Sequence, residues 1–190
     1  MKTSADVRAA KFLLAVTWLR VFLVPVIVAL VLEGPERRYA FVAAGILFAV
    51  AATTDFVDGF LARRWSQTST FGNLLDTTAD KLLVSGALLA LVAVDRVSPW
   101  IALIIIGREL AIMGLRGAVA AGGDLVQPSI WGKAKANVQF LAIFLAIVRR
   151  PEEIGPLFLD EYVMIAAAAI TVISAIEYIL RFRGAITAER

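Results

Sequence analysis

Six long apolar stretches, parted only by short polar breaks, restrict what this chain can fold into more than any other feature. They cover residues 12–32, 39–64, 72–94, 100–121, 130–148 and 157–180. Each holds roughly the ~20 residues that a helix needs to cross a hydrocarbon core. The breaks are rich in turn formers: Glu33-Gly-Pro-Glu-Arg-Arg38, the polar connection at 65–70, Asp95-Arg-Val-Ser-Pro99, Gly122-Gly-Asp-Leu-Val-Gln-Pro128 and Arg149-Arg-Pro-Glu-Glu. No stretch alternates with period two, and there is no internal repeat or low-complexity linker. Hydrophobic residues make up 60% of the chain, against about 45–50% apolar in soluble domains. The sequence therefore predicts an all-α integral membrane bundle of six transmembrane helices, forming a single domain over residues 1–190.

Two readings stay open for residues 1–10. Arg8 and Lys11 share one side of a helix with Lys2 further round, which suits an interfacial helix, and a disordered tail is the other reading. Pro25 is expected to kink the first span. Arg20 inside that span, with no small-residue cleavage pattern after it, speaks against a cleaved signal peptide. Six spans put both ends on one side. With the ends cytoplasmic, the inner segments carry Lys2, Arg8, Lys11, Arg63, Arg64, Lys133, Lys135, Arg181, Arg183 and Arg190. The outer turns carry only Arg37, Arg38, Arg96, Arg149 and Arg150, so the positive-inside rule favours this orientation. The net charge of +3 suits an anionic membrane surface and anionic substrates. No Lys/Arg stripe with interleaved aromatics is present, so nucleic acid is not an expected partner.

Charge is scarce in such stretches, yet four carboxylates fall close together in two of them. Asp55 and Asp58 close the second span, with Gly59, Ala62 and Arg63 beside them. Gly72, Asp76 and Asp80 open the third. On helices, Asp55, Asp58 and Ala62 share one face, as do Gly72, Asp76 and Asp80. Two such helices face to face would gather four carboxylates, which repel one another at low dielectric unless a cation lies among them. Oxygen-only donors suit Mg²⁺ or Mn²⁺. The chain has no cysteine and no histidine, so thiol and imidazole chemistry are excluded and any general base is a carboxylate or a lysine. Asp55 lies nine residues before Arg64, roughly 13 Å below the cytoplasmic surface, and the site is expected to open there.

The pattern Asp-x-x-Asp-Gly-x-x-Ala-Arg, eight residues, then Gly-x-x-x-Asp-x-x-x-Asp resembles the signature of the CDP-alcohol phosphatidyltransferases position for position. The resemblance covers most of the chain. It implies transfer of a phosphatidyl group from CDP-diacylglycerol to an alcohol, with release of CMP, in the cytoplasmic membrane. It also implies two divalent ions, Mg²⁺ or Mn²⁺, on Asp55, Asp58, Asp76 and Asp80, with Asp80 as the base, and a homodimer among membrane lipids. Gly59, Ala62, Arg63 and Gly72 would make room and supply donors for the CDP-lipid, joined by Thr17 and Arg20 of the first span. For Arg20, snorkelling and an inward turn towards an anionic ligand both remain open.

Two further stretches, Gly107-Arg108-Glu109 to Arg116 and Gly132-Lys133-Ala-Lys135, resemble the family members whose acceptor is sn-glycerol 3-phosphate. Arg108, Arg116, Lys133 and Lys135 are then expected to bind its phosphate. The lysines alone are also ordinary topology flanks. The chain departs from the family where the first-span asparagine is missing and where Ala136 replaces a common threonine. Inositol phosphate, phosphatidylglycerol and serine serve as acceptors in sister enzymes with the same motif. Intramembrane acids also suit a cation transporter, but a pathway needs polar positions across the bilayer and these bunch at one end of two helices. Lys81 and Glu177 are assigned no role.

Overall fold

The computed structural model describes the backbone over residues 4–64, 70–121 and 130–187 and side chains over 14–54, 72, 74–120 and 135–180. Among the described residues there are six helices and one two-stranded β-pair, in two compact units, Met1–Arg96 and Val97–Arg190. The all-α reading holds, and the four middle helices fall close to the expected bounds, while the first begins earlier, at Ser4, and the last runs on to Thr187.

In the first unit, α1 (Ser4–Glu33) packs along both α2 (Arg38–Arg64) and α3 (Thr70–Ala93). Residues 4–10 continue α1 without a break, so they form neither a separate helix nor a tail; residues 1–3 lie outside the described residues. Ala5, Ala9, Ala10 and Arg8 are good helix formers, and no Gly or Pro stops them. The helix also runs on through Pro25. The turn into α2 is closed by the Arg37 N–H donating to the Glu33 carbonyl at 3.0 Å. Gly34 is needed there, because a Cβ would stand 2.3 Å from the Phe41 ring. Gly86 sets the approach of α3 to α1, since a Cβ on it would meet Val24 Cγ1 at 2.8 Å. α3 ends in a Schellman motif: Asp95 takes φ 56°, and the Arg96 N–H reaches back to the Leu91 carbonyl at 2.9 Å.

In the second unit, α4 (Pro99–Ala121) and α5 (Ile130–Val148) both pack on α6 (Leu159–Thr187). Pro99 opens α4 at the position where its missing N–H costs nothing. The break before α6 is more ordered than a simple turn. β1 (Glu153–Ile154) pairs antiparallel with β2 (Leu157–Phe158) across Gly155 at φ 72°, so α6 starts at Leu159 and not at residue 157. Its first turn is fastened by the Phe158 N–H to Glu161 Oε2 at 3.0 Å, half of a capping box. The Arg149 guanidinium grips Asp160 Oδ2 through Nε at 3.0 Å and Nη2 at 2.7 Å.

Polar and apolar residues are distributed as in a lipid-solvated protein. Buried positions include Arg20, Glu109, Lys135, Gln139, Thr171 and Ser174, while Leu19, Phe22, Ile46, Leu103, Ile173 and Leu180 are exposed. Two described segments, Leu14–Glu33 and Leu159–Leu180, are long and apolar enough to cross a membrane by themselves. The other helices fall short of that criterion for readable reasons. Asp76, Asp80 and Lys81 charge α3, and Arg108, Glu109 and Arg116 charge α4. The apolar parts of α2 and α5 shorten to Arg38–Thr54 and Lys135–Val148 among the described residues.

Candidate active site

α3 brings Asp76 and Asp80 one turn apart, at i and i+4. Arg20, on the neighbouring α1, turns inward: it is 2% exposed and its Nη1 donates to Asp76 Oδ1 at 3.1 Å, while Asp76 remains 38% exposed. Burying a guanidinium is costly unless an acid meets it, so α1 and α3 are tied together in one register here. Thr17, one turn before Arg20, is buried too. Asp80 Oδ2 accepts from Lys81 Nζ at 2.6 Å. Asp76 Oδ2 and Asp80 Oδ1 take no hydrogen bond from the described residues. Each acid thus keeps one oxygen for a ligand, and oxygen donors on partly exposed carboxylates fit a hard divalent ion. Asp55, Asp58, Gly59, Ala62 and Arg63 lie on α2, but their side chains are outside the described residues. Among the described residues no three acids gather into a metal-holding group.

The second unit holds a different polar centre. Glu109 on α4 is buried, and its Oε1 accepts from Arg108 Nη1 at 3.3 Å and from Lys135 Nζ of α5. Arg108 Nη2 donates to Ser174 Oγ on α6 at 2.7 Å, and the guanidinium carbon lies 5.5 Å from the centre of the Tyr178 ring. Two of the four expected acceptor cations, Arg108 and Lys135, therefore meet on a single carboxylate. Arg116 is exposed on α4, and the Lys133 side chain is outside the described residues.

Lys81, Ser174 and Tyr178 had no role in the sequence reading, whereas Glu109 was a possible partner of Arg108. Lys81 binds the expected base, and Glu109, Ser174 and Tyr178 surround Arg108. An acid in the middle of an apolar stretch is itself a signal that a buried cation waits for it, and Glu109 carried that signal.

The family model for CDP-alcohol phosphatidyltransferase matches residues 14–173, most of the chain. The chain belongs to the CDP-alcohol phosphatidyltransferase family. Its similarity to curated members of that family extends along nearly the full length of both partners. A Bacillus subtilis protein named CDP-diacylglycerol–glycerol-3-phosphate 3-phosphatidyltransferase is 36% identical over 86% of this chain and 90% of its own length. A Mycobacterium tuberculosis protein named probable phosphatidylglycerophosphate synthase is 38% identical over 92% of this chain and 82% of its own. A Shigella flexneri protein with the same name as the first is 39% identical over 88% and 92%.

Proposed function

We propose that this CDP-alcohol phosphatidyltransferase transfers a phosphatidyl group from CDP-diacylglycerol to sn-glycerol 3-phosphate, giving phosphatidylglycerophosphate and CMP in phospholipid biosynthesis. The observation that carries this is the shared activity name of relatives that align along most of both chains. The pairing of Asp76 with a buried Arg20 on one side and of Asp80 with Lys81 on the other supports it.

In this reading Asp55, Asp58, Asp76 and Asp80 would hold two divalent ions, Mg²⁺ or Mn²⁺, whose chemistry is to neutralise the diphosphate and the charge on departing CMP. Arg20 keeps Asp76 in place through their hydrogen bond, and Thr17 stands beside it on α1. Gly59, Ala62 and Gly72 leave room for the nucleotide, and Arg63 offers donors to phosphate. Asp80 takes the acceptor's hydroxyl proton, with Lys81 Nζ held at its Oδ2. The freed hydroxyl oxygen bonds to the phosphorus that carries diacylglycerol, the bond from that phosphorus to the bridging oxygen breaks, and CMP leaves. Arg108, Lys135, Arg116 and Lys133 receive the phosphate of the acceptor.

The single domain over residues 1–190 spans the cytoplasmic membrane six times, works as a homodimer, and has both termini and the site facing the cytoplasm. Exposed apolar side chains around α1, α2, α4 and α6 support a lipid-facing exterior. Purified protein in liposomes tests the activity: CMP should be released from CDP-diacylglycerol only when glycerol 3-phosphate is added. Cation flux with no CMP release would make the chain a transporter instead.

A further inference from the structure

Arg108 and Glu109 are consecutive on α4, where side chains diverge by about 100° and do not normally face each other. Here Arg108 Nη1 nevertheless comes within 3.3 Å of Glu109 Oε1, and Lys135 from α5 donates to that same oxygen. One carboxylate oxygen thus holds two cationic heads from two helices within hydrogen-bond reach of a single atom. The far edge of the guanidinium is fixed by Ser174 Oγ at 2.7 Å, with the Tyr178 ring against its face. The side chains of Arg108, Glu109 and Lys135 are 9%, 3% and 4% exposed.

A stabilising ion pair does not explain this arrangement well. Buried pairs seldom improve on apolar packing, and setting two cations side by side adds repulsion. The guanidinium is also not fully used: its Nε is buried and has no hydrogen-bond partner. The Nε edge of arginine is one that a phosphate can take in a bidentate manner. A phosphomonoester carries nearly two negative charges, which two adjacent cations match and a free alcohol does not.

We propose that Glu109, together with Ser174, is a positioning residue that sets Arg108 and Lys135 as one anion-binding pair for the acceptor's phosphate. This rests on the reading of Arg108 and Lys135 as acceptor ligands. Glu109 acts through the two cations and touches no reacting atom. It is the element of the site that would distinguish a phosphorylated acceptor from its unphosphorylated alcohol.

The test uses the full chain in detergent with CDP-diacylglycerol and glycerol 3-phosphate varied separately. Glu109→Gln keeps the shape and an accepting oxygen but removes the charge. It should raise the KM for glycerol 3-phosphate roughly tenfold or more, with the KM for CDP-diacylglycerol within about twofold of the parent. Lys135→Met should do the same, and the double variant should exceed the worse single by no more than about twofold, because both act on one pair. Ser174→Ala, a small change, should raise the acceptor KM a few-fold, and it decides the question if Glu109→Gln does not fold. An equal rise in both KM values, or a fall in kcat alone, would overturn the proposal in favour of a purely structural role. If Lys135→Met raises the acceptor KM while Glu109→Gln (or Ser174→Ala, where that variant decides) does not, positioning by Glu109 is wrong and the acceptor site stands. If Lys135→Met and Arg108→Lys both leave the acceptor KM unchanged, the acceptor site itself lies elsewhere, and the proposal goes with it.

Discussion

Arg20 and Asp76 stand 56 residues apart in sequence and 3.1 Å apart in space. The contact joins a buried cation of α1 to an acid of α3, so the first helix fixes the carboxylate that we propose as a metal ligand on the third. Arg20 is turned inward and does not snorkel. Its cost of burial is offset by the acid that it meets.

Arg20→Lys should therefore damage catalysis more than stability. Lysine keeps the charge but loses the planar fork that aims at a carboxylate or a phosphate. Turnover should fall roughly tenfold to a hundredfold. Arg20→Met, which strips the cation away, should also lower stability by about 1–3 kcal/mol. Steady-state CMP release and a thermal melt in detergent measure the two effects. Unchanged turnover in Arg20→Lys would show that Asp76 needs no help from α1.

Gly86 gives a prediction free of chemistry. A methyl group there would press on Val24 Cγ1 at 2.8 Å, and valine on a helix has little freedom at χ1 to move aside. Gly86→Ala should destabilise the α1–α3 pair by about 1–3 kcal/mol. The melting temperature should drop, with KM values close to those of the parent. A variant as stable as the parent would mean that α1 and α3 are not held this close.

Asp80 and Asp76 should fail in different ways. Asp80→Asn removes the proton acceptor, so kcat should fall about 10²–10⁴-fold while CDP-diacylglycerol still binds. Asp76→Asn should abolish turnover and also lower stability, because Arg20 loses this partner. Comparing donor binding and melting temperature for the two variants separates a base from a ligand. Equal loss of donor binding would make Asp80 chiefly a metal ligand.

Removing divalent cation should silence the enzyme. EDTA-treated protein should release no CMP, and Mg²⁺ or Mn²⁺ should restore it. The same titration followed by melting temperature should show stabilisation by the ion, because a ligand that binds only the folded state raises its stability. Full activity after EDTA would contradict the metal assignment.

The helices were legible because apolar runs and turn formers mark their ends: residues 130–148 match α5, and Arg64 closes α2 as expected. Residues 157–158 were read as helix because two residues carry no period, and Gly155-Pro156 makes the small hairpin possible only in three dimensions. The continuation of α1 back to Ser4 was missed because polar residues hide helical propensity behind low hydropathy. At the site, residue type and spacing marked Asp76 and Asp80 but not their partners. For Arg20 snorkelling and an inward turn both stayed open until α1 was seen against α3, and Lys81, which carried no role, meets Asp80 on the same helix. A close approach of the third helix to the first lies at Gly86, which no motif distinguishes.

The central claim is the transfer of phosphatidyl to glycerol 3-phosphate, and product analysis across acceptors tests it most directly. Purified protein is given CDP-diacylglycerol and, in separate reactions, ³²P-labelled glycerol 3-phosphate, inositol phosphate, phosphatidylglycerol, serine or unlabelled glycerol, with CMP and lipid products followed together. The account predicts that glycerol 3-phosphate alone drives rapid CMP release and that its label appears in phosphatidylglycerophosphate, while free glycerol is inert. Faster transfer to inositol phosphate or phosphatidylglycerol, or CMP release with no label in lipid, would contradict it.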